Sequence, residues 1–460
     1  MKNIQIILLV LFAFLKSNAQ CYTSIAAGLN HTLALKADGT LWAWGYNLEG
    51  ELGNNSTTNS LISVQIGTAT DWQLISAGGD HSLAMKNNGT LWAWGFNSSG
   101  QLGDNSTITR LTPVQVGIES DWQSISAGGS HSMALKTNGT LWTWGDNFSG
   151  QLGVGFVGNK LVPTQVGTDN NWQKISAGSG HSLAKKTTSS LWAWGNNVFG
   201  TLGNGTTSNV GFPNLVSSLI PWTSMSAGVL HNLAIKSDGT LWTWGNNGSG
   251  QLGDNTTVTK TVPVQIGFDT NWNFIDAGYN TSIAKKTDNT LYTWGWNDSG
   301  QLGDNTIVNK NIPTQLGTAT NWTIIATGGK FIVSKTTDST FWTSIRVWGN
   351  NQYGQLGDGT TTNKLMPTST SSCNILALEN ENFDKNSFSI YPNPANNVIN
   401  IQNEENLLIS NLNIFDISGK KILDEQRDFN SINIQKLESG IYFIQITSNE
   451  KTFQTKFIKQ

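Results

Sequence analysis

The chain has 460 residues, a net charge of −3 and no basic tract, which argues against nucleic acid as a partner. Only 12% of its residues are charged, while glycine contributes 49 and tryptophan 20. That balance excludes a disordered chain and suits a stable β-protein with many tight turns, in two or three domains.

The first residues, MKNIQIILLVLFAFLKSNAQC, read as a secretory signal over 1–19. Lys2 supplies the positive start, Ile6 to Leu15 the apolar stretch and Ser17-Asn18-Ala19 the cleavage site. The apolar run falls short of the roughly 20 residues that span a bilayer. No later segment is apolar enough to do so, so an exported product, soluble or surface-attached, is expected. Cys21 follows Gln20, where a lipoprotein would have a small residue.

A repeat follows. Trp-Gly recurs every 50 residues at Trp44, Trp94, Trp144, Trp194, Trp244 and Trp294, and again at Trp348 after an insertion at Ser344 to Val347. Ile25, Ile75, Ile125, Ile175, Met225, Ile275 and Ile325 open a second signature in step with it. These mark seven units between about Tyr22 and Thr370.

Each unit predicts four short strands. In the second unit they are DWQLISAG, HSLAMK, TLWAWG and the region of PVQV, where Pro113 suits an edge strand. Asn88-Gly89 predicts a two-residue hairpin between the second and third strands, with both residues at positive φ. Ser189-Ser190, Asp288-Asn289 and Asp338-Ser339 depart from that signal. Four strands repeated seven times predict an all-β fold, a seven-bladed propeller over 20–373, because radial packing buries both faces of every sheet. The Ala-Gly strands belong near the axis and the tryptophans between blades. An open solenoid is the alternative.

The pattern GGxHSLALKxxGTLWAWGxNxxGQLG resembles the repeat of the regulator of chromosome condensation family, whose members form seven-bladed propellers. The eukaryotic namesake exchanges guanine nucleotide on a small nuclear GTPase and binds chromatin. An exported chain without a basic arm meets neither partner, so the resemblance implies the fold and not that function.

The five histidines, His31, His81, His131, His181 and His231, occupy one repeat position, with Thr281 and Phe331 there in the last two units. A catalytic histidine needs a unique neighbourhood, so a structural role is expected. Five ring-spaced imidazoles do not reach one metal ion. Cys21 and Cys373 flank the ring, and in an oxidising compartment they are expected to form a disulfide. Closing a loop of 352 residues is worth at most roughly 5–6 kcal/mol in the chain-entropy model.

Chemistry is sparse. The propeller has three glutamates, Glu49, Glu51 and Glu119. Glu49 and Glu51 form the one close carboxylate pair outside the repeat pattern, and both read as solvated. Asp104, Asp254 and Asp304 in GDN read as turn-stabilising rather than calcium-binding. No catalytic, cofactor-binding or metal-binding set stands out. The first–second and third–fourth connections emerge on one side, where the repeat stops repeating. Tyr46, Phe96, Phe148, Phe199, Tyr279 and Trp296 lie there and form the candidate ligand face, suited to sugar rings or protein hot spots. A monomeric secreted or cell-surface binding or adhesion protein is expected, with an unidentified glycan or protein as partner. A polysaccharide lyase or hydrolase and a protein inhibitor are the alternatives.

After a linker over 374–384, residues 385–460 lose tryptophan and gain charge. Alternation in VINI, LNIF and IYFIQI predicts a small antiparallel sandwich. This segment resembles the C-terminal sorting domain of the Bacteroidetes type IX secretion system. The resemblance rests on Tyr391-Pro392-Asn393-Pro394, on Asp416 to Lys420 with Gly419 and Lys420, on Gly440 and Tyr442, and on Lys456 to Lys459. It implies export through that machinery, removal of the tail, and release or attachment at the cell surface.

Overall fold

The computed structural model describes residues 22–217, 221–337, 342–374, 388–403, 408–416, 421–425, 430–448 and 451–460. The signal segment and the 374–384 linker beyond Asn374 therefore lie outside the described residues, as do Gly419, Lys420 and Cys21. So does the side chain of Cys373, and with it the expected disulfide.

Among the described residues every regular element is a strand. Seven four-stranded antiparallel sheets follow one another in chain order. In the first, β1 (Tyr22–Ala27), β2 (His31–Lys36), β3 (Leu41–Gly45) and β4 (Ser60–Gln65) pair as neighbours. The remaining blades repeat this order, so the propeller replaces the open solenoid. Closure is direct: Gly329 N–H in the last blade donates to Gly28 O in the first (3.1 Å), and Trp44 Nε1 donates to Gln355 O (3.0 Å).

Side-chain alternation explains the packing. In each second strand the first four residues are buried, because both faces of the sheet meet a neighbouring blade. The Trp-Gly tryptophans fill those gaps: Trp94, Trp144, Trp194, Trp244, Trp294 and Trp348 are wholly buried. Each apolar cluster accordingly combines two adjacent blades, as where Leu83 and Leu91 meet Ala134 and Trp144. The outer strands, with prolines such as Pro113, are half-buried to exposed.

The hairpins correct one expectation. Gly89 has φ +79°, whereas Asn88 is not at positive φ. Gly89 N–H donates to Lys86 O and Lys86 N–H to Thr90 O, so the loop has three residues, Asn87 to Gly89. This is a turn closed by one left-handed residue. Because only one such residue is needed, Ser189 and Asn289 adopt it at φ +63° and their hairpins keep the same form. The last of the departing pairs, Asp338-Ser339, lies outside the described residues.

The C-terminal unit, beginning at Asn374, is a sandwich of two antiparallel sheets. One contains Phe388–Tyr391, Val398–Asn403 and Ser431–Asn433; the other contains Ile409–Phe415, Lys421–Glu425, Gly440–Ser448 and Lys451–Lys459. Phe388, Ile399, Leu412, Ile444 and Phe457 form its core.

Candidate functional site

The histidines sort out first, because they are latches between blades. His31 Nε2 lies 2.9 Å from Ser82 Oγ, and Ser82 Oγ donates to Glu51 O at 2.8 Å. The serine's single proton is thus committed, and the imidazole must be the donor. The arrangement recurs for His81, His131 and His231; His181 meets Asn232 Oδ1, an acceptor only. Nδ1 of His81, His131 and His231 is buried with no hydrogen-bond partner. Burial holds these imidazoles neutral, with pKa values lowered to about 3 to 4. A glycine must precede each ring: a Cβ at Gly78 would lie 2.6 Å from both His81 Cε1 and Gly128 O. The five imidazoles are therefore spread around the ring, each bonded to the next blade.

The GDN aspartates are also structural. Asp104 Oδ1 accepts from the backbone and hydroxyl of Ser106, and its Oδ2 pairs with Arg110 at 2.7 Å. Sequence reading missed the loop organiser beside them. Asn47, wholly buried, donates to Ser56 O and Thr58 O and accepts from Leu52 N–H. Its recurrence at Asn97, Asn147, Asn197, Asn247, Asn297 and Asn351 was the available signal. It fixes the third–fourth connection so that neighbouring positions can vary.

Around the axis, the Ala-Gly turns line a cavity of about 280 Å³, whose rim carries Asp80, Ser130, Val229 and Tyr279. The structure gathers the aromatic candidates unevenly. Tyr279 and Trp296 meet at 6.0 Å between ring centroids, and Lys330 Nζ stands 3.9 Å over the Trp296 ring while pairing with Asp298 at 2.9 Å. Tyr46 instead meets Tyr353 of the last blade at 4.8 Å, a partner that sequence reading did not select. Phe148 is 90% exposed. Phe96 and Phe199 are half-buried, and neither joins these two pairs.

The acidic pair departs from expectation. Glu49 is half-buried, but Glu51 is not solvated: it is fully shielded. Its Oε2 accepts from Glu49 N–H at 3.0 Å, while its Oε1 is buried without a partner. Burial, with smaller contributions from Asp80 and Glu49, pushes its pKa up to about 7 against the opposing backbone hydrogen bonds. Burial and Glu49 also raise Asp80. Burial, Glu51, Asp80, Tyr353 and Glu49 raise the Tyr46 phenol. Five side chains from three blades thus share one electrostatic neighbourhood. No spacing rule reveals it, because Asp80 reaches Glu51 through the packing of adjacent blades and Tyr353 reaches Tyr46 through ring closure.

A family model described as the RCC1-like domain matches residues 10–334, and a model of the regulator of chromosome condensation (RCC1) repeat matches 347–375. The chain belongs to the RCC1-like domain family. Human WBSCR16 is a similar solved structure, with 20% identity, TM-score 0.65, and coverage of 72% of this chain and 94% of that one. Prp20p of Saccharomyces cerevisiae is 24% identical, with TM-score 0.61 over 68% of this chain and 82% of its own. A second structure of that yeast protein, bound to Kap60, is 21% identical, with TM-score 0.64 over 80% and 87%. At these identities the likeness is one of fold. No curated protein matches the chain.

Residues 389–460 match a secretion system C-terminal sorting domain. This RCC1-like propeller is therefore exported by the type IX route and is secreted or attached at the outer surface. Among the described residues no helix is long and apolar enough to cross a membrane. The fold brings two of the sorting motifs together: Asn393 donates to Lys456 O (3.0 Å) and accepts from Ile458 N–H (2.9 Å). The Tyr442 ring stacks on Phe457 at 5.7 Å, and its hydroxyl donates to Glu438 O.

Proposed function

We propose that this RCC1-like protein is a secreted or surface-displayed binding protein. Its ligand, a glycan or a protein, sits on the face formed by the first–second and third–fourth connections. One observation carries the reading: sevenfold repetition breaks there into two chemically different groups around a single axial cavity. Tyr279 and Trp296 lie with Lys330 on one part of the face, and Tyr46 and Tyr353 lie with Glu49 and Asp80 on another. Rigid aromatic rings offer large contact area at low entropic cost, and polar neighbours orient what they hold. Binding is favoured over the lyase or hydrolase alternative because Glu51, whose pKa burial raises to about 7, is shut away from solvent. A general acid must reach its substrate.

The test is a glycan array and an extracellular pull-down with the full chain. The triple variant Tyr46→Ala, Phe96→Ala, Trp296→Ala is expected to weaken capture at least tenfold while its melting temperature stays within a few degrees of the parent. Unchanged capture would overturn the reading.

A further inference from the structure

One socket recurs on the ligand face and is inverted once. Gln251 Oε1 accepts from Ser249 N–H at 2.9 Å, and its amide nitrogen donates to Asn246 Oδ1 (2.7 Å) and to Asn280 Oδ1 of the next blade (3.0 Å). Gln151 and Gln355 repeat the pattern on Asp146 and Asn350. The socket thus anchors one oxygen on the backbone and ends its other arm in a donor, which meets an acceptor in Gln151, Gln251 and Gln355 and is buried without one in Gln101, where Phe96 stands in place of Asn246. In the first blade Glu51 keeps the anchor, through Oε2 on Glu49 N–H. The other arm now ends in an oxygen, Oε1, which is buried and unpartnered. The position it faces, the counterpart of Asn280, is Asp80, and Tyr46 replaces the acceptor at position 246. Two acceptors therefore confront each other where every similar socket has a donor. The nearby basic side chain, Arg110, is already engaged with Asp104. Among the described residues no three acidic, imidazole or thiol groups converge as ligands of one metal ion.

Resting on the reading that this face binds the ligand, we propose that Tyr46, Glu49, Glu51, Asp80 and Tyr353 form a subsite for one primary ammonium group. Asp80 and Glu49 contact the cation, the two tyrosine rings flank it, and Glu51 is the buried countercharge behind them. A proton satisfies the confrontation in the empty site by neutralising Glu51. An arriving ammonium takes over that task, and the Glu51 proton leaves to solvent. The groups facing Glu51 are Tyr46 and Glu49 from its own loop and Asp80 from the next blade, with Tyr353 of the last blade packed on Tyr46. None is basic, so the cation must come with the ligand. A lysine side chain and an amino sugar share this chemistry.

The experiment is calorimetric titration of the full chain at pH 7, in two buffers of different ionisation enthalpy. The probes are a capped Ala-Lys-Ala peptide and glucosamine, each beside its N-acetylated form. The expected result is binding of an amine probe at least tenfold tighter than its acetylated form, with about half a proton released per site. Which amine binds tells the protein source from the glycan source. Glu51→Gln installs the residue that five other units carry, so the variant should fold with an equal or higher melting temperature, lose the proton release and bind the amine at least tenfold more weakly. Asp80→Asn should weaken binding likewise. Equal binding of amine and acetylated probes, or unaltered proton release in Glu51→Gln, overturns the subsite. A natural partner retained by Glu51→Gln but lost by the aromatic triple variant also overturns it, and leaves the face reading intact. A partner that survives both variants overturns both readings.

Discussion

Five of the seven seams between blades are latched by a histidine, and two are not. Between the first six blades an imidazole donates to the next blade, and at four of these seams the acceptor is a serine hydroxyl. At the sixth seam Thr281 turns back to Trp296 O in its own blade, and Asp276 Oδ2 instead accepts Thr327 N–H of the last blade at 2.8 Å. At the closing seam Phe331 replaces the imidazole and packs with Tyr22, Ala34, Trp44 and Val347. At this one latch position the two ends of the ring thus meet through an apolar side chain where the middle uses an imidazole hydrogen bond. The shape of the socket is constant, and either chemistry fills it, provided no polar atom is stranded. The polar version depends on pH and the apolar version does not.

Acid should expose this difference most. The folded imidazoles titrate near pH 3 to 4, against 6.5 when unperturbed, with burial the first cause in each. The unfolded chain therefore binds protons first as pH falls. Stability is retained above pH 6.5 and lost below it, by ~2 kcal/mol per imidazole at pH 5. Glu51 and Asp276, whose pKa values burial raises to about 7 and about 6, protonate in the folded state and oppose the loss. The net loss between pH 7.5 and 5 is on the order of 5 kcal/mol, measurable by chemical denaturation at both values. His131→Phe should reduce that pH dependence by ~2 kcal/mol; an unchanged slope would show that the imidazole is not the sensor.

The apolar seam should be costly to hollow out. Phe331→Ala is expected to destabilise the ring by about 3–4 kcal/mol in urea denaturation, independent of pH. Phe331→His should cost only ~1 kcal/mol, because Thr32 already stands where the serines stand, its hydroxyl donating to Gln355 O at 3.0 Å. It should also add a sixth acid-sensitive latch. A His variant as damaging as the Ala variant would break the claim that the sockets are interchangeable.

The smallest effect concerns Asp276. Serine occupies its position in four other units, where, as with Ser76 and Ala127, its hydroxyl accepts the next blade's N–H. The Asp276 carboxyl has its pKa raised, so its ionisation penalty grows as pH rises from 4 to 6 and is constant above. Asp276→Ser should flatten that part of the stability curve by ~1 to 2 kcal/mol, discounted for solvent screening because Asp276 is only half-buried.

The frame was legible because each unit repeats its chemistry at a fixed interval. Trp94 and the Ala-Gly turn could be assigned to seam and axis by recurrence alone, and His81 to a structural role, whereas its partner, Ser132 of the next blade rather than local backbone, emerged only from the structure. The hairpin at Asn88-Gly89 was read as one residue too short, since the dipeptide signal does not count the residue before it. The candidate face was legible as the place where repetition fails. Its organisation was not: Tyr279 with Trp296 and Tyr46 with Tyr353 are pairs that only tertiary structure makes. Glu51 was misread as solvated because its loop is polar in sequence, while the Asn47 scaffold turns the side chain inward.

The amino-acid sequence alone determined seven four-stranded units and an exported chain, because recurring burial requires neighbouring units to cover both faces of each sheet; that the units close into a ring rather than an open solenoid was settled by the tertiary structure. Tertiary structure alone decided which exceptions meet. Asp80, 29 positions from Glu51, becomes its neighbour through blade packing, Tyr353 meets Tyr46 through ring closure, and a carboxylate's charge state follows from what surrounds it in space.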